Sequence, residues 1–375
     1  MLRFSTAGDS HGPVLVGILE GLPAHLRLDL NAINAMLQRR QGGYGRGKRM
    51  QMESDELEVL SGLWHGETSG MPLALQIKNQ GEKKQDTVRP RTIPRPGHAD
   101  LAGAWKYGWE EDLNPMIERS SARETAMRVA IGAICKEFLA EFGIHVLGYL
   151  RQLGGVDVPP KETEMVRLGK LVRLSQFYSG NPDLDETLRQ LVDKTRTTGD
   201  SLGGVVEVVS TPLPPGLGSV AHFDRKLDAR LALHLMSIPS AKAVAIGDGI
   251  EGSSWRGSQF HDPILARDGH IRRASNHAGG IEGGMTNGQP LRVRVHLKPI
   301  PTLLQPMETV NMASGEPSKA PYIRSDVVVA PAASVVAEAL VAFVLAEAFL
   351  EKFGGDTLEE LEIAYQNYLK RLKWY

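Results

Sequence analysis

The chain has 375 residues, 43 Lys plus Arg against 44 Asp plus Glu, a net charge of −1 and 42% apolar residues. That balance excludes a generally basic nucleic-acid coat and an acidic disordered tail as its main character. About 75% of the unfolded surface can be buried at this length, and the lone cysteine, Cys135, excludes a disulfide framework and a cysteine-based zinc site.

In chain order, the first residues, MLRFSTAGDSHG, lack the apolar core of a signal peptide. Short β-branched stretches predict strands at Pro13–Leu19, Leu57–Leu60, Leu73–Ile77, Ile144–Leu150, Val205–Val209, Ala243–Ile246, Leu291–Leu297 and Val327–Val329. Asp29 is placed to cap a helix carrying Ile33, Met36 and Leu37 that stops at Gly42 and Gly43. Ser121 and Glu124 read as a capping box before Met127, Ile131, Ile134 and Phe138, with Gly143 closing that helix. Asp224 opens a helix with Leu227, Leu231 and Leu235 on one face. The polar stretch Val156–Asp185 reads as a surface excursion. The helix after Ser334 is apolar nearly all round, as expected of one covered on both sides. Glu338 and Glu347 interrupt its apolar run and argue against a membrane span. A last amphipathic helix from Asp356 reads as peripheral.

These elements lack the rhythm of strand–helix–strand units. Paired strands between long helices predict an α+β sandwich rather than a doubly wound sheet. VGILEGLP near the start and VVEVVSTPLPPGLG near the middle hint at two related halves. A soluble protein of a reducing compartment is expected.

Charge is unevenly spread. No acid occurs from Leu30 to Met52, where Arg39, Arg40, Arg46, Lys48 and Arg49 fall. None occurs from Thr87 to Ala99, with Arg89, Arg91, Arg95 and His98, or from Gly283 to Met307, with Arg292, Arg294 and Lys298. Such segregation points to a polyanionic ligand, or to solvated faces whose acidic partners lie elsewhere in the fold. In RRQGGYGRG the glycines permit close backbone approach, and the arginine fork matches carboxylate and phosphate; an RNA-binding RGG segment is the weaker reading of this single copy. Arg119, Ser120, Ser121 and Arg123 stand at a helix start, where N–H groups favour a phosphate, or are an ordinary cap with arginines in solvent. His11 and His98 are candidate proton donors or structural hydrogen-bonders. The other histidines show no metal-ligand spacing, so no metal site is expected. The run Ala278–Gly288 holds five glycines in eleven residues without a P-loop or dinucleotide pattern. Asp326 reads as an ion-pair partner of Arg324.

Together these stretches resemble the chorismate synthase family: TAGDSHG (6–12), RRQGGYGRG (39–47), RPGHADL (95–101), ERSSARETA (118–126), GDGIEG (247–252), NHAGGIEGGMTNGQPLRVRVHLKPI (276–300), RSDVVVAPAASVVAEA (324–339) and EKFGGD (351–356), in family order along the chain. The resemblance implies one domain over 1–375, a helical layer between two antiparallel sheets, a homotetramer and a cytoplasmic location. It implies a lyase that converts 5-enolpyruvylshikimate 3-phosphate to chorismate with reduced FMN and no net redox change. NADPH, or a separate flavin reductase, would supply the reduction; neither nucleic acid nor membrane is an expected partner. Arg40, Arg46, Arg49, Arg123 and Arg324 would grip the substrate, with Arg40 and Arg46 also linked to NADP. Arg119, Ser120, Ser121, Pro239, Ser240, Gly283, Lys298, Pro299, Ile300, Pro301, Thr302 and Arg324 would hold the flavin. His11 would protonate the departing phosphate, His98 the reduced flavin, and Asp326 would help flavin N5 take the substrate proton. The chain departs from the family at Asp9, commonly Glu, at Pro239–Ser240, often an amide residue then Ala, and at Ser325, elsewhere His. Another flavin-dependent enzyme acting on a phosphorylated polyanion is the alternative.

Overall fold

Every second residue of Val14–Glu20 is buried, Leu15, Gly17 and Leu19, and this period-two burial fixes which face of the strand meets the core. The computed structural model describes residues 1–46, 55–80, 88–267, 269–321 and 326–373. Arg3–Ala7 (β1), Val14–Glu20 (β2), Leu57–Ser61 (β3) and Leu73–Lys78 (β4) form an antiparallel sheet in the order β1-β2-β4-β3. Val146–Leu153 (β5), Val156–Asp157 (β6), Gly204–Pro212 (β7), Ala241–Ile246 (β8) and Pro290–Leu297 (β9) form a second, in the order β8-β9-β7-β5-β6, also antiparallel. With the helices described next, the class is α+β.

Asp29 caps Leu30–Gln41 (α1) by accepting from the N–H groups of Asn31 and Ala32. Thr125–Ala140 (α2) packs on β1, β2 and β4, while Ala330–Phe353 (α4) packs on β5 and β7 and crosses α2, α1 and Leu227–Met236 (α3). The α2–α4 crossing is close: a Cβ added to Gly132 would lie 2.4 Å from the Ala339 Cα, so only glycine admits this approach. One contiguous apolar core runs from Leu2 to Leu361. By length and composition α4 could cross a membrane, but 89% of its most apolar window is already buried against the rest of the protein.

Several expectations need correction. Ser121 does cap, but it caps a 3₁₀ turn, Ala122–Glu124, and Glu124 does not close a capping box. The Glu124 carboxylate accepts instead from Thr6 and Arg128, because the tertiary fold offers charged and hydroxyl donors there. Val327–Val329 is not a strand; Val328 makes only an isolated bridge to Leu202 before α4 begins. α4 starts at Ala330, with Pro331 in its first turn, and α3 starts at Leu227 after a separate 3₁₀ turn. The 156–185 excursion returns to the protein, where Leu168 and Val172 cover Tyr149 on the outer face of the second sheet.

Glu338 on α4 is fully buried and charged. Burial alone would raise its pKa, but Arg39, Lys136 and the Gly148 N–H outweigh that and hold it low. One carboxylate thereby ties α1, α2, α4 and β5 together. Removing one member of a buried ionic group leaves the others uncompensated. Glu338→Gln should cost about 3–5 kcal/mol of stability, read as a lower denaturant midpoint; an unchanged midpoint would refute this role.

Candidate functional site

The last turn of α1 places two consecutive arginines on different acids. Arg39 is spent on Glu338, to which Nη1 donates at 2.7 Å, and on the Gly148 carbonyl. Arg40 points the other way: Nε donates to Thr125 Oγ1 at 3.0 Å, Nη2 to the Ala122 carbonyl at 2.8 Å, and Nη1 lies 3.7 Å from Asp55. Arg123, presented by the 3₁₀ turn, donates to the same Asp55 at 2.7 Å and to Asn79 Oδ1 at 2.8 Å. Arg40, Asp55 and Arg123 are all buried. Among the described residues, two guanidiniums converge on one buried carboxylate, the kind of ionic group in which every buried charge must be met.

Asn79 extends the cluster to the first loop, its amide donating to the carbonyls of Asp9 and Gly12 at 3.1 and 2.7 Å. That holds the Asp9–Gly12 turn, which carries His11. The Glu118 carboxylate accepts from the His11 backbone N–H at 2.7 Å and meets its Nδ1 at 2.8 Å. Ser121 Oγ donates to Ser10 Oγ at 3.1 Å, and Arg119, on the exposed side, reaches Thr6. Ser120 is exposed beside them. His11, Arg40 and the pair Ser121 and Arg123 therefore belong to one constellation drawn from three distant stretches of chain.

Arg46 leaves the glycine turn that follows α1 and donates to Asp326 at 2.6 Å, both being largely buried. The partner of Asp326 seen here is thus Arg46. Arg49, Arg324 and Ser325 lie outside the described residues.

His98 forms a second centre. In the turn Arg95–His98, Gly97 has φ 76°, and a Cβ there would fall 2.8 Å from Pro301, so glycine lets this turn lie against the Lys298–Thr302 loop. His98 Nε2 faces Thr302 Oγ1 at 3.3 Å, and Lys298 Nζ donates to the Gly97 carbonyl at 2.6 Å. The Lys298 N–H donates to the carbonyl of Ser240, whose own φ of 76° is strained for a residue with a side chain. Pro239 precedes it on the surface; Ile300 is tied to Ser201, and Pro299 packs at Gly203. Arg128 links this turn to the first centre by donating to Ser237 and Glu124. Gly283 lies apart among the described contacts, in a hairpin turn beside Val220, because that loop docks on the start of α3.

Burial pushes the pKa of His98 down, and the nearby Arg95 adds to this. Burial and then Lys242 push Lys298 down as well. Asp100 stays ionised because hydrogen bonds and charge from Arg95 outweigh its burial. Cations here are disfavoured by one another and by desolvation, which an incoming anion would relieve. Arg46 Nε and Gln41 Nε2 are buried donors without an acceptor among the described residues. These are donor-rich surroundings suited to phosphate and carboxylate groups.

The basic windows are not bare, however. Arg292 pairs with Asp248, and Arg294 with Glu207 and Glu251, on the outer face of the second sheet. Register puts Tyr149, Glu207 and Arg294 in one cross-strand row, so the acidic partners come from neighbouring strands. Asp55, Asn79 and Glu118 are site residues the sequence reading missed. Glu118 stood inside the ERSSARETA stretch, the one available signal.

An antiparallel α+β scaffold with two donor-rich centres, each holding an imidazole, defines an enzyme for small polyanions. The family model for chorismate synthase matches residues 2–350. Chorismate synthases of Geobacter sulfurreducens and Carboxydothermus hydrogenoformans are 47% and 48% identical, each alignment covering 100% of both chains. A crystal structure of chorismate synthase superposes with a TM-score of 0.81 at 40% identity, over 98% of this chain and 97% of that one. The chain belongs to the chorismate synthase family. As a member it is a lyase of the shikimate pathway, which eliminates phosphate from 5-enolpyruvylshikimate 3-phosphate to give chorismate.

The folded His98 titrates below its ordinary 6.5, so between the two values the unfolded chain binds the additional proton. Its stabilising contribution is complete above about pH 6.5 and is lost as pH falls through that window. Lowering pH from about 7.5 to 5.5 should reduce Tm. His98→Gln should flatten part of that slope, with His296, also pushed down by burial, keeping the remainder. An identical slope in the variant would exclude a buried neutral His98.

Proposed function

We propose that the Asp55 cluster holds the substrate and that the His98 turn holds reduced FMN beside it. The observation that carries this reading is the convergence of two buried guanidiniums, Arg40 and Arg123, at Asp55, beside the loop that carries His11. The substrate brings two carboxylates and a phosphate and FMN another phosphate, about −6 in all, and each uncompensated charge would cost several kcal/mol in a partly dry site. Arg40, Arg46, Arg49, Arg123 and Arg324 bind the substrate's anions; Arg40 and Arg46 serve the substrate rather than NADPH. Arg119, Ser120, Ser121, Pro239, Ser240, Gly283, Lys298, Pro299, Ile300, Pro301, Thr302 and Arg324 hold the cofactor. When bound, reduced FMN supplies electron density to the substrate as phosphate departs and regains it, with no net redox change.

His11 donates a proton to the leaving phosphate oxygen. His98 gives the reduced cofactor the proton that tunes its charge. Asp326, oriented by Arg46, helps accept the proton lost from the substrate carbon. A positioned acid or base is typically worth 10²–10⁴ in rate, about 3–5 kcal/mol of barrier. The contiguous core supports one domain over 1–375, and α2 on one sheet with α4 on the other supports a sandwich of two related halves. Exposed Trp64, Phe223 and Leu233 support burial in a homotetramer, and the buried free thiol of Cys135 supports a cytoplasmic location.

Anaerobic phosphate release with photoreduced FMN, with and without NADPH, tests the reading. Turnover with reduced but not oxidised FMN is expected, and turnover independent of flavin redox state would refute it. His11→Ala should slow turnover at least about tenfold while FMN binding persists; an undiminished rate would remove His11 from the donor role. Arg46→Ala should raise KM for the substrate far more than it lowers Tm. A loss of folding alone would assign Arg46 to structure.

A further inference from the structure

Glu118 lies outside the set of substrate and cofactor residues, yet it makes two hydrogen bonds to a single residue. One oxygen accepts from the His11 main-chain N–H at 2.7 Å, the other meets Nδ1 of the ring at 2.8 Å. The first bond fixes the loop and the second fixes the ring within it. Both side chains are partly covered, at 22% and 27% exposure.

An imidazole has two nitrogens, and which one carries the transferable proton depends on the partner of the other. A carboxylate accepts only, so Nδ1 must be the donor toward Glu118. With Nδ1 engaged, the proton available for transfer sits on Nε2. The same carboxylate lies against the cationic form of the ring. Among the described contacts, Arg123 reaches this loop through Asn79, Asp55 pairs with Arg123, Arg119 contacts Thr6, and Ser10 and Ser121 are neutral.

We propose that Glu118 is the positioning residue for His11, holding its ring with Nε2 toward the leaving phosphate. This rests on the reading of His11 as proton donor. As the carbon–oxygen bond breaks, its electron pair goes to the phosphate oxygen, which takes the Nε2 proton. The ring is left neutral with Nδ1–H still given to Glu118. The proton lost from the substrate carbon, taken up with the help of Asp326 and released to solvent, equals in number the one that leaves on phosphate, and the ring regains its own from solvent water.

Glu118→Gln keeps size and an acceptor oxygen but removes the charge, and Glu118→Asp restores the charge one methylene short. Losing the carboxylate that orients a working histidine typically costs about 10–100-fold. In the FMN-loaded enzyme, Glu118→Gln should lower kcat by about that factor, with KM for the substrate and FMN affinity near wild type. Glu118→Asp should recover part of the rate. A wild-type kcat in Glu118→Gln would overturn the proposal. So would a rate loss accompanied by weakened FMN binding and no recovery in Glu118→Asp, which is the pattern of a purely structural contact. If His11→Ala itself turns over normally, the donor reading fails, and this outcome is separable from an active His11 with a dispensable Glu118.

Discussion

One buried carboxylate organises the interior. Glu338 lies in the most apolar helix, where an uncompensated charge would cost several kcal/mol. It persists because Arg39, Lys136 and the Gly148 N–H arrive from three other elements to meet it. Those partners cannot be satisfied unless α1, α2, α4 and β5 are mutually in place. The ionic group therefore acts on geometry: it sets the direction in which the last turn of α1 ends. Whatever its net energetic worth, it makes one arrangement of four elements better than its neighbours.

That direction matters for the site. Arg39 and Arg40 are about 100° apart around a helix, so anchoring the first on Glu338 sends the second toward Asp55, Thr125 and Ala122. Six residues further on, beyond the glycine turn, Arg46 meets Asp326 just ahead of α4. Three arginines of one short segment thus face three different acids. The core and the buried arginine cluster at Asp55 are two consequences of the same helix end.

Cations in the interior are arranged in two ways. Arg40 and Arg123 converge on Asp55, and near His98 burial and proximity disfavour the cationic forms of His98 and Lys298. By contrast, Arg292 and Arg294 are fully engaged on the far face of the second sheet. A basic window in sequence is therefore not a measure of free positive charge. What counts is the ratio of guanidinium to carboxylate once distant strands have been brought side by side.

The sequence by itself determined the local elements and the family. Asp29 as a cap, the alternation in β2 and β9 and the all-round apolar α4 were legible, because capping and periodicity act over a few residues. The motif stretches carrying His11, His98, Arg40 and Arg123 were legible as a resemblance. The partners were not. Asp55, Asn79 and Glu118 lie 15 to more than 100 residues from the groups they hold, and only Glu118, inside the ERSSARETA stretch, has a signal in its own neighbourhood. The capping-box pattern at Ser121 and Glu124 misled for the same reason, since Thr6 and Arg128 compete for that carboxylate only after folding. Local propensity is written along the chain, whereas the pairing of charges depends on distances that only the packed sheets and helices define.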